Sequence, residues 1–527
     1  MIQDFNGLPT HSLFEADICL IGSGVAGLFI AHRFIDRGFT VLVIEAGGKI
    51  STAESQAFYH ATIIGNPYKG HLEGRYRVFG GTSTRWGGQL LPLENTDFLQ
   101  QDHIAHSGWP IRYQTLLPYY KKAELIMQVN QLPYDATFSS HLNLSAMTFN
   151  PHYFEYKYSK WTQFQHRNLA GTLGIACIQA KNITLLLNAT VTSIQLEKNA
   201  ATVKQLTLTS SSGHQAIVKA KNYVLCAGTL ETTRLLLAAT DVCPAGIGND
   251  YDQVGRFFQD HISFKAAEIM PRDNVIFSRA FAPCFIKKIM HFPRLQFTQR
   301  ALKQFNCLGV FGHVQFEAPE NNCFAIVRDI LRRKQEKNKL TVQWREIKKI
   351  IASIPYFTQL SYSYFLGGKI PYPPHCRWYL QVDVEQAPAA NSRVYLSNER
   401  DSLNMPRLCI DWQIGERERS SAAHFIQEFK REWQQGNMGT ANWNDAIQHP
   451  DNRWLNDARD AYHQAGTTRM SVDPAMGVVN PDLKIHGIDN LYIASCSVFP
   501  TSGSANPTFT LMALSLRLAD HLVEKLR

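Results

Sequence analysis

Apolar and polar positions near the start of the chain follow a pattern that predicts a strand, a helix and a second strand. Two apolar runs, residues 17–21 and 40–45, are separated by a glycine-rich turn and a stretch that ends at Arg37. Short apolar runs bounded by polar residues predict buried strands, and Val25, Leu28 and Phe29 fall on one face of a helix. The segment is therefore predicted to be a βαβ unit.

The turn inside this unit has the glycine spacing of a dinucleotide site. Gly22 permits the tight turn, Gly24 lets a diphosphate approach the backbone, and Gly27 lets the helix pack on the strand. The helix N-terminus offers unpaired N–H groups and a positive dipole to that diphosphate. Glu45, at the end of the second strand, can accept from ribose hydroxyls and would repel a 2′-phosphate, which disfavours NADP. The motif alone does not distinguish FAD from NAD.

A second glycine cluster, residues 78–89, surrounds one large indole. Its glycines and hydroxyl residues suit a backbone that lies against a flat or phosphorylated ligand. The candidate contacts are Gly80, Gly81, Thr82 and Trp86. The alternative is a surface loop in which Trp86 is a buried anchor.

Residues 182–228 alternate between apolar and polar positions. Runs at 184–187, 191–196, 203–208, 216–218 and 223–226 are separated by turn residues, which predicts a β-meander. The last strand, ending in Ala227 and Gly228, is predicted to rejoin the parallel sheet, with a helix over 229–237 after it.

Residues 266–445 show no repeat but hold most of the excess positive charge. The whole chain has a net charge of +9, and residues 328–349 hold nine Lys or Arg against three acids. Apolar spacing predicts amphipathic helices with a basic outer face over 325–352. One interpretation is a solvated face; the other is contact with an anionic membrane, an acidic partner or a charged glycan. Nucleic acid is disfavoured because no binding motif accompanies the charge.

Composition indicates a globular protein with several packed regions. The 527 residues exceed the ~150-residue prior for one domain, and 45% hydrophobic with 18% charged residues argue against disorder and coiled coil. Ten scattered cysteines form no CxxC pair or CxxCH site, so no metal or attached haem is expected. The apolar run 18–31 is too short and broken to span a bilayer, and no Lys or Arg precedes Arg33, which predicts a cytoplasmic protein.

The motifs that carry chemistry lie near the C-terminus. They are His463-Gln-Ala-Gly-Thr-Thr-Arg-Met470, residues 477–480 and 486–494, Ser497-Val-Phe-Pro-Thr501, and Ser504-Ala-Asn-Pro-Thr508. With the βαβ unit, the cluster around Trp86 and the strand end at 225–228, they resemble the glucose-methanol-choline (GMC) oxidoreductase family, in the family's own order. Within that family, these motifs are most similar to those of the pyranose oxidase and sugar dehydrogenase branches.

This resemblance implies FAD and a mixed α/β fold. A Rossmann-like FAD-binding domain with a β-meander would be joined to a substrate domain built on an antiparallel sheet with helices. His463 falls on the family's active-site histidine and Asn506 on its second position. Neutral imidazole suits removal of a hydroxyl proton, and Asn506 can donate to the same oxygen, although Asn before Pro is also ordinary N-cap chemistry. The implied FAD contacts are Gly22, Gly24, Gly27, Glu45, Gly80, Gly81, Thr82, Trp86, Val191, Ala227, Gly228, Ser497, Pro507 and Thr508.

Two positions depart from the family's pattern. Many members have an acid where Ser495 stands, which removes one expected FAD contact. Arg85 occupies the place of a histidine that can bond covalently to FAD in the pyranose oxidase branch. A dissociable, non-covalent flavin is therefore predicted.

The sequence thus predicts a two-domain flavoenzyme. Residues 1–100, 165–265 and 455–527 would form the FAD-binding domain, and residues 101–164 and 266–454 the substrate domain. The expected reaction is oxidation of a CH–OH group in a sugar, glycoside or other polyol, with His463 as base and O2, a quinone or a redox protein as electron acceptor. Dehydrogenase is preferred to oxidase. The alternatives are a flavin-dependent lyase or epimerase, and a non-catalytic flavin-bound protein that docks through residues 328–349.

Overall fold

The structure, a computed structural model, describes residues 1–141, 147–317, 326, 329–330, 333, 342–352, 354, 358, 376–449 and 452–527. Its strands are β1 (Ile2–Asp4), β2 (Ser12–Ile21), β3 (Val41–Ile44), β4 (Ala61–Ile63), β5 (Gln89–Leu90), β6 (Phe154–Trp161), β7 (Ile183–Leu187), β8 (Thr190–Leu196), β9 (Val203–Thr209), β10 (Gln215–Leu225), β11 (Ile262–Pro271), β12 (Cys284–Ile286), β13 (Ile289–Phe297), β14 (Val310–Glu317), β15 (Arg377–Val384), β16 (Arg393–Arg400), β17 (Pro406–Asp411), β18 (Gly439–Trp443), β19 (Arg459–Asp460) and β20 (Leu491–Ile493). The α-helices of these residues are α1 (Val25–Arg33), α2 (Ala53–Ala57), α3 (Tyr113–Ile126), α4 (Phe164–Arg167), α5 (Leu173–Gln179), α6 (Gly228–Ala238), α7 (Asn274–Phe281), α8 (Gln299–Phe305), α9 (Trp344–Ala352), α10 (Glu416–Gln435) and α11 (Pro507–Leu526).

The first sheet carries the predicted βαβ unit. Its order is β1-β7-β3-β2-β10-β9-β8, and β20 pairs with the end of β10. Strands β1, β7, β3, β2, β10 and β20 run parallel. All four residues of β3 are buried, as expected for an inner strand of a covered parallel sheet. Helices α1 and α11 pack against each other beside this sheet, and their apolar residues share its core.

The meander is shorter than the alternation of the sequence predicts. Strands β8, β9 and the first part of β10 pair antiparallel, and β10 continues beside β2 as one strand. The run at 184–187 is predicted as the first strand of the meander, but the structure places it, within β7, between β1 and β3 of the parallel sheet. That part of the prediction is wrong because a single partly exposed residue, Thr184, imitates alternation in a strand that is otherwise buried. The helix predicted after β10 is confirmed as α6.

The second sheet is antiparallel and has one apolar face. Its order is β18-β11-β15-β14-β13-β6-β5, with β12 on β13 and β19 on β11. Leu380, Val382 and Val384 of β15 are buried in one core with Phe425 and Phe429 of α10. Because side chains alternate along a strand, these residues define the face that α10 covers.

The opposite face of the second sheet is polar. Ser263 of β11 lies opposite Asp383 of β15, and Lys265 lies opposite Gln381. Side chains directly opposite each other in an antiparallel pair share a face. Residue His261 precedes β11 with the same parity as Ser263, so this polar face extends from His261 outward along the sheet.

The apolar residues form two main cores. The first joins the parallel sheet, α1 and α11, and includes Leu116 and Tyr120 of α3. The second lies between the antiparallel sheet and α10, and includes Trp412 and Trp433. A small sheet of β16, β17 and β4 connects distant parts of the chain. The structure confirms the predicted mixed α/β fold class. A Rossmann-like parallel sheet with a meander is joined to an antiparallel sheet with helices.

The predicted basic segment, residues 325–352, lies about half outside the described residues. Within it the structure describes α9, which coincides with the second predicted amphipathic helix. Its docking role stays a prediction. Over the described ranges, no helix is long and apolar enough to cross a bilayer.

Candidate active site

Two positions in the turn between β2 and α1 have room only for glycine. Gly22 has φ +111°, and a Cβ there would lie 2.6 Å from the carbonyl oxygen of Cys226. A Cβ on Gly27 would lie 2.0 Å from the carbonyl oxygen of Gly22. Gly24 differs: a Cβ there would meet nothing within 4 Å, and among the described residues no side chain caps α1. The first N–H groups of α1 therefore lie beside open space, as an anion site at a helix N-terminus requires.

Glu45 is buried at the end of β3 and holds this turn together. Its Oε2 accepts the backbone N–H of Ser23 at 3.0 Å and the Ser23 hydroxyl at 2.7 Å, while its Oε1 accepts the N–H of Gly47 at 2.8 Å. Burial raises the pKa of the Glu45 carboxyl, against the hydrogen bonds that lower it. The contact with ribose hydroxyls stays a prediction, and the structure adds a second role for Glu45 in shaping the turn.

A cleft extends from this turn to the C-terminal motifs. Among the predicted site residues, its lining includes Gly22, Gly24, Glu45, Gly81, Thr82, Val191, Ala227, Gly228, His463, Pro507 and Thr508. These residues come from seven separated places along the sequence. The fold therefore brings most of the predicted site to one place.

Three of the predicted contacts lie behind this lining. Gly27 packs α1 on the turn, and the N–H of Gly80 donates to Ser23 Oγ at 3.3 Å. The indole N–H of Trp86 donates to the carbonyl oxygen of Arg167 at 2.7 Å, and the ring is half-buried against the first core. In the structure Trp86 is thus a loop anchor, which is the alternative that the sequence left open for this glycine cluster.

Ser497 is also buried behind the cleft. Its Oγ accepts the hydroxyl of Thr468 at 2.6 Å, and its backbone N–H donates to Ser495 Oγ at 3.1 Å. Ser495, which replaces the acid that many family members have, lines the cleft itself. At this position the cleft therefore has a neutral hydroxyl instead of a carboxylate.

The cleft has features that fit an elongated dinucleotide such as FAD. A Cβ on Gly81 would lie 2.9 Å from Cα of Gly24, so the two glycine turns approach each other backbone to backbone. Helix α11 begins with Pro507 and, over the described residues, has no side-chain cap at Asn506. A free helix N-terminus thus lies at each of two places along one cleft, where a diphosphate and a second electron-rich group can bind.

His463 and Asn506 are adjacent at the C-terminal side of the cleft. Asn506 Nδ2 lies 3.0 Å from His463 Nε2, and His463 Nδ1 lies 3.0 Å from His261 Nδ1. The backbone N–H of His463 donates to Asp260 Oδ1 at 2.8 Å. Burial, reinforced by the neighbouring His261, lowers the pKa of His463 to about 3. The imidazole is therefore neutral at physiological pH and can accept a proton.

The sequence did not single out Asp260 or His261 as site residues. They lie about 200 positions before His463, and the pairing of β11 with β19, together with a bridge between Gln259 and Ala465, brings them beside it. The sequence does show a His next to an Asp just before a strand. This pattern is common, and it does not indicate an active site unless the strand pairing is known. Within the described residues no group of three His, Cys, Asp or Glu side chains could hold a metal ion.

A buried cluster of charges on the wall of the cleft was also missed. Arg234 of α6 pairs with Asp401 at 2.5 Å and with Glu231 at 3.4 Å, and Arg75 pairs with Glu231 at 3.1 Å. All four side chains line the cleft. Their sequence separations, up to 326 positions, leave no local pattern by which they could be recognised.

Comparison with known proteins agrees with this arrangement. The family profile described as GMC oxidoreductase matches residues 388–515, and the profile described as FAD dependent oxidoreductase matches residues 17–245. The large subunit of fructose dehydrogenase from Gluconobacter japonicus is 24% identical, over 98% of this chain and 99% of that protein. The 6'''-hydroxyparomomycin C oxidase of Streptomyces lividus is 22% identical, over 96% of this chain and 92% of that protein. A solved formate oxidase structure has a TM-score of 0.59 at 15% identity, covering 98% of this chain and 99% of that one.

These findings define the class of protein. The chain belongs to the GMC oxidoreductases, and it is an FAD-dependent oxidoreductase. The predicted family and cofactor are therefore confirmed.

Proposed function

We propose that the protein oxidises a CH–OH group of a sugar, glycoside or other polyol to a carbonyl, using FAD. The observation that carries this proposal is the 3.0 Å contact between His463 Nε2 and Asn506 Nδ2 beside the glycine-lined cleft. An alcohol needs a base for its proton and a donor that orients its oxygen. The pair supplies both groups at one point.

The residues present fit the cofactor. The backbone of Gly24 and Gly81 and the N-terminus of α1 would hold its diphosphate, and the N-terminus of α11 would face its flavin end. When bound, FAD supplies the acceptor for the hydride that leaves the substrate carbon. The protein's own contribution is to bind, orient and deprotonate the alcohol.

Each side chain of the pair has a distinct task in this proposal. Burial keeps the His463 imidazole neutral, so Nε2 can take the hydroxyl proton as the carbonyl forms. The Asn506 amide lies at the same nitrogen and has a second N–H that can donate to the substrate oxygen. That donor fixes the direction in which the C–H bond points.

The polar face of the second sheet supports a substrate with several hydroxyls. Gln381 is buried on that face, and among the described residues its Oε1 has no hydrogen-bond partner, while its Nε2 donates to Ser263 Oγ at 2.8 Å. A buried acceptor without a donor is costly, and a hydroxyl of a ligand bound on this face of the sheet would satisfy it. The relative named for fructose also favours a sugar.

We further propose that FAD is bound without a covalent link. Arg85, in the place where a histidine could bond to the flavin, is exposed, and its guanidinium lies over the ring of Tyr76 at 5.3 Å. A guanidinium stays protonated and is not a nucleophile. Acid precipitation should therefore release FAD into the supernatant; flavin that stays on the polypeptide contradicts this.

The domain boundaries predicted from the sequence remain a proposal, although Leu116 and Tyr120, which the prediction assigns to the substrate domain, lie in the first core. Residues 1–100, 165–265 and 455–527 would bind FAD, and residues 101–164 and 266–454 would bind substrate. Dehydrogenase activity, a quinone or redox-protein acceptor and a cytoplasmic location likewise stay predictions from the sequence.

The decisive experiment is anaerobic mixing of the FAD-loaded protein with sugars, glycosides, polyols and simple alcohols while the flavin absorbance is followed. Bleaching by a polyol supports the proposal, and the acceptor is then identified by adding O2 or a quinone. His463→Ala should retain FAD but slow bleaching by at least ~10²-fold. The exposed His449→Ala is the matched control and should bleach at the normal rate. Consumption of substrate while the flavin stays oxidised would instead indicate a lyase or epimerase.

A further inference from the structure

A chain of three hydrogen bonds passes through His261 to the candidate base. His261 Nε2 lies 2.7 Å from the carbonyl oxygen of Gly503, and its Nδ1 lies 3.0 Å from Nδ1 of His463. Asn506 Nδ2 lies 3.0 Å from the other nitrogen of His463. The two imidazole rings meet edge to face, with centroids 4.9 Å apart.

The carbonyl at the end of this chain determines where the protons are. A carbonyl oxygen can only accept, so Nε2 of His261 must carry a hydrogen. Burial lowers the pKa of His261 to about 4, so its ring is neutral and holds one proton only. Its Nδ1 is then an acceptor, and the hydrogen in the contact between the two rings must belong to His463 Nδ1.

We propose that His261 is a positioning residue that holds His463 in the tautomer with hydrogen on Nδ1 and an unprotonated Nε2. This inference rests on the proposed function of His463 as the base, because only that tautomer can take a substrate proton at Nε2. His261 itself contacts no reacting atom. The amide of Asn506, directed at Nε2, is consistent with an acceptor there.

Asn506 cannot enforce this tautomer alone. An amide can present either its NH2 group or its oxygen after a flip, so it would tolerate a hydrogen on Nε2 as well as a lone pair. His261 has no such freedom, because the Gly503 carbonyl fixes its own proton. The selection of the tautomer therefore comes from His261.

Three substitutions separate this role from a structural one. The amide of Asn at position 261 can present its oxygen to Nδ1–H of His463, although it does not impose that tautomer. Gln reaches toward Gly503 but removes the Nδ1 acceptor, and Phe keeps the ring shape without either group. If His261 sets the tautomer, His261→Asn should remain within ~10-fold of the normal rate of flavin reduction, whereas Gln and Phe should lose about 10²–10⁴-fold, the range expected when a base is left in the wrong tautomer. If His261 only anchors Gly503, Gln should be the better replacement, which would overturn the proposal.

A second measurement does not depend on turnover. In FAD-loaded protein labelled with ¹⁵N-histidine, the His463 signals are identified by their absence in His463→Gln. We expect Nδ1 to be protonated and Nε2 unprotonated, and we expect the Nε2–H form to appear in His261→Phe. Protonation at Nε2 in the unmodified protein contradicts the proposal. If the spectrum shows the expected tautomer but no alcohol bleaches the flavin, the proposed function is rejected while the role of His261 in setting the tautomer still holds.

Discussion

Oδ1 of Asp260 accepts the backbone N–H of His463 at 2.8 Å and so joins the residues before β11 to the segment that carries the candidate base. Oδ2 of the same carboxyl accepts the hydroxyl of Tyr68 at 2.8 Å. Complete burial, together with the neighbouring Asp460, raises the pKa of Asp260 to about 8. The structure thus places directly behind the site an acid that keeps its proton to a much higher pH than an ordinary aspartate.

This relationship predicts how stability changes in alkaline solution. An acid whose pKa rises on folding from 3.8 to about 8 stabilises the fold while protonated, and that contribution is lost as pH rises through about 8. Asp260→Asn keeps an acceptor but cannot ionise. The contribution is complete only below pH 3.8, so the free energy of unfolding of Asp260→Asn, measured in urea, should rise relative to that of the unmodified protein between pH 5 and pH 9, by about 1 kcal/mol or more. The exposed Asp252→Asn serves as control, and a variant that is less stable at pH 7 and pH 9 alike would show that Asp260 is ionised.

A buried histidine away from the site predicts the acid side of the stability profile. His291 is buried, stacks on Phe138 and lies 3.0 Å, through Nε2, from Asn130 Nδ2. Burial, with Lys160 nearby, lowers its pKa from 6.5 to about 3. The neutral ring therefore stabilises the fold above pH 6.5, and this contribution falls as pH drops toward about 3. Measured by urea unfolding, the free energy of unfolding of His291→Gln should fall less between pH 7 and pH 4 than that of the unmodified protein. An equal fall in the two proteins would contradict the lowered pKa of His291.

Local sequence patterns predict the βαβ unit, because short segments of the chain determine it. The glycines at 22, 24 and 27 and the two apolar runs define the βαβ unit, since both the turn and the strands depend on adjacent residues. His463 and Asn506 are predicted to share one active site because both lie in motifs that resemble one family. Asp260 and His261 were not predicted, because their proximity to His463 depends on antiparallel pairing across 200 positions, which no spacing along the chain reveals.

A single methyl group can test whether Gly24 approaches the cofactor. A Cβ at Gly24 meets nothing within 4 Å, and its φ of −72° suits alanine, so Gly24→Ala should fold with a thermal midpoint close to normal. The methyl group would occupy the space beside the helix N-terminus where the diphosphate is expected, so FAD should bind at least ~10-fold more weakly. Titration of the apoprotein with FAD, followed by flavin fluorescence, measures this.

Gly171 gives the matched control for that experiment, because a Cβ there also meets nothing within 4 Å and the residue lies outside the cleft lining. Gly171→Ala should bind FAD normally. Unchanged FAD affinity in Gly24→Ala would show that the diphosphate lies elsewhere in the cleft.

The ion pair between Arg234 and Asp401 predicts a large dependence of stability on one buried charge. The two side chains are 5% and 3% exposed, so removing one partner leaves the other charge in a poorly solvated place. Asp401 Oδ1 also accepts the backbone N–H of Leu403 at 2.8 Å, a contact that Asn can retain. Asp401→Asn should therefore report mainly the effect of removing the charge, and should lower the free energy of unfolding by about 3 kcal/mol. The control is Asp252→Asn, which breaks an exposed ion pair with Arg256 and should cost at most about 1 kcal/mol. Equal effects of the two variants in urea unfolding would mean that Glu231, also paired with Arg234, compensates the charge by itself.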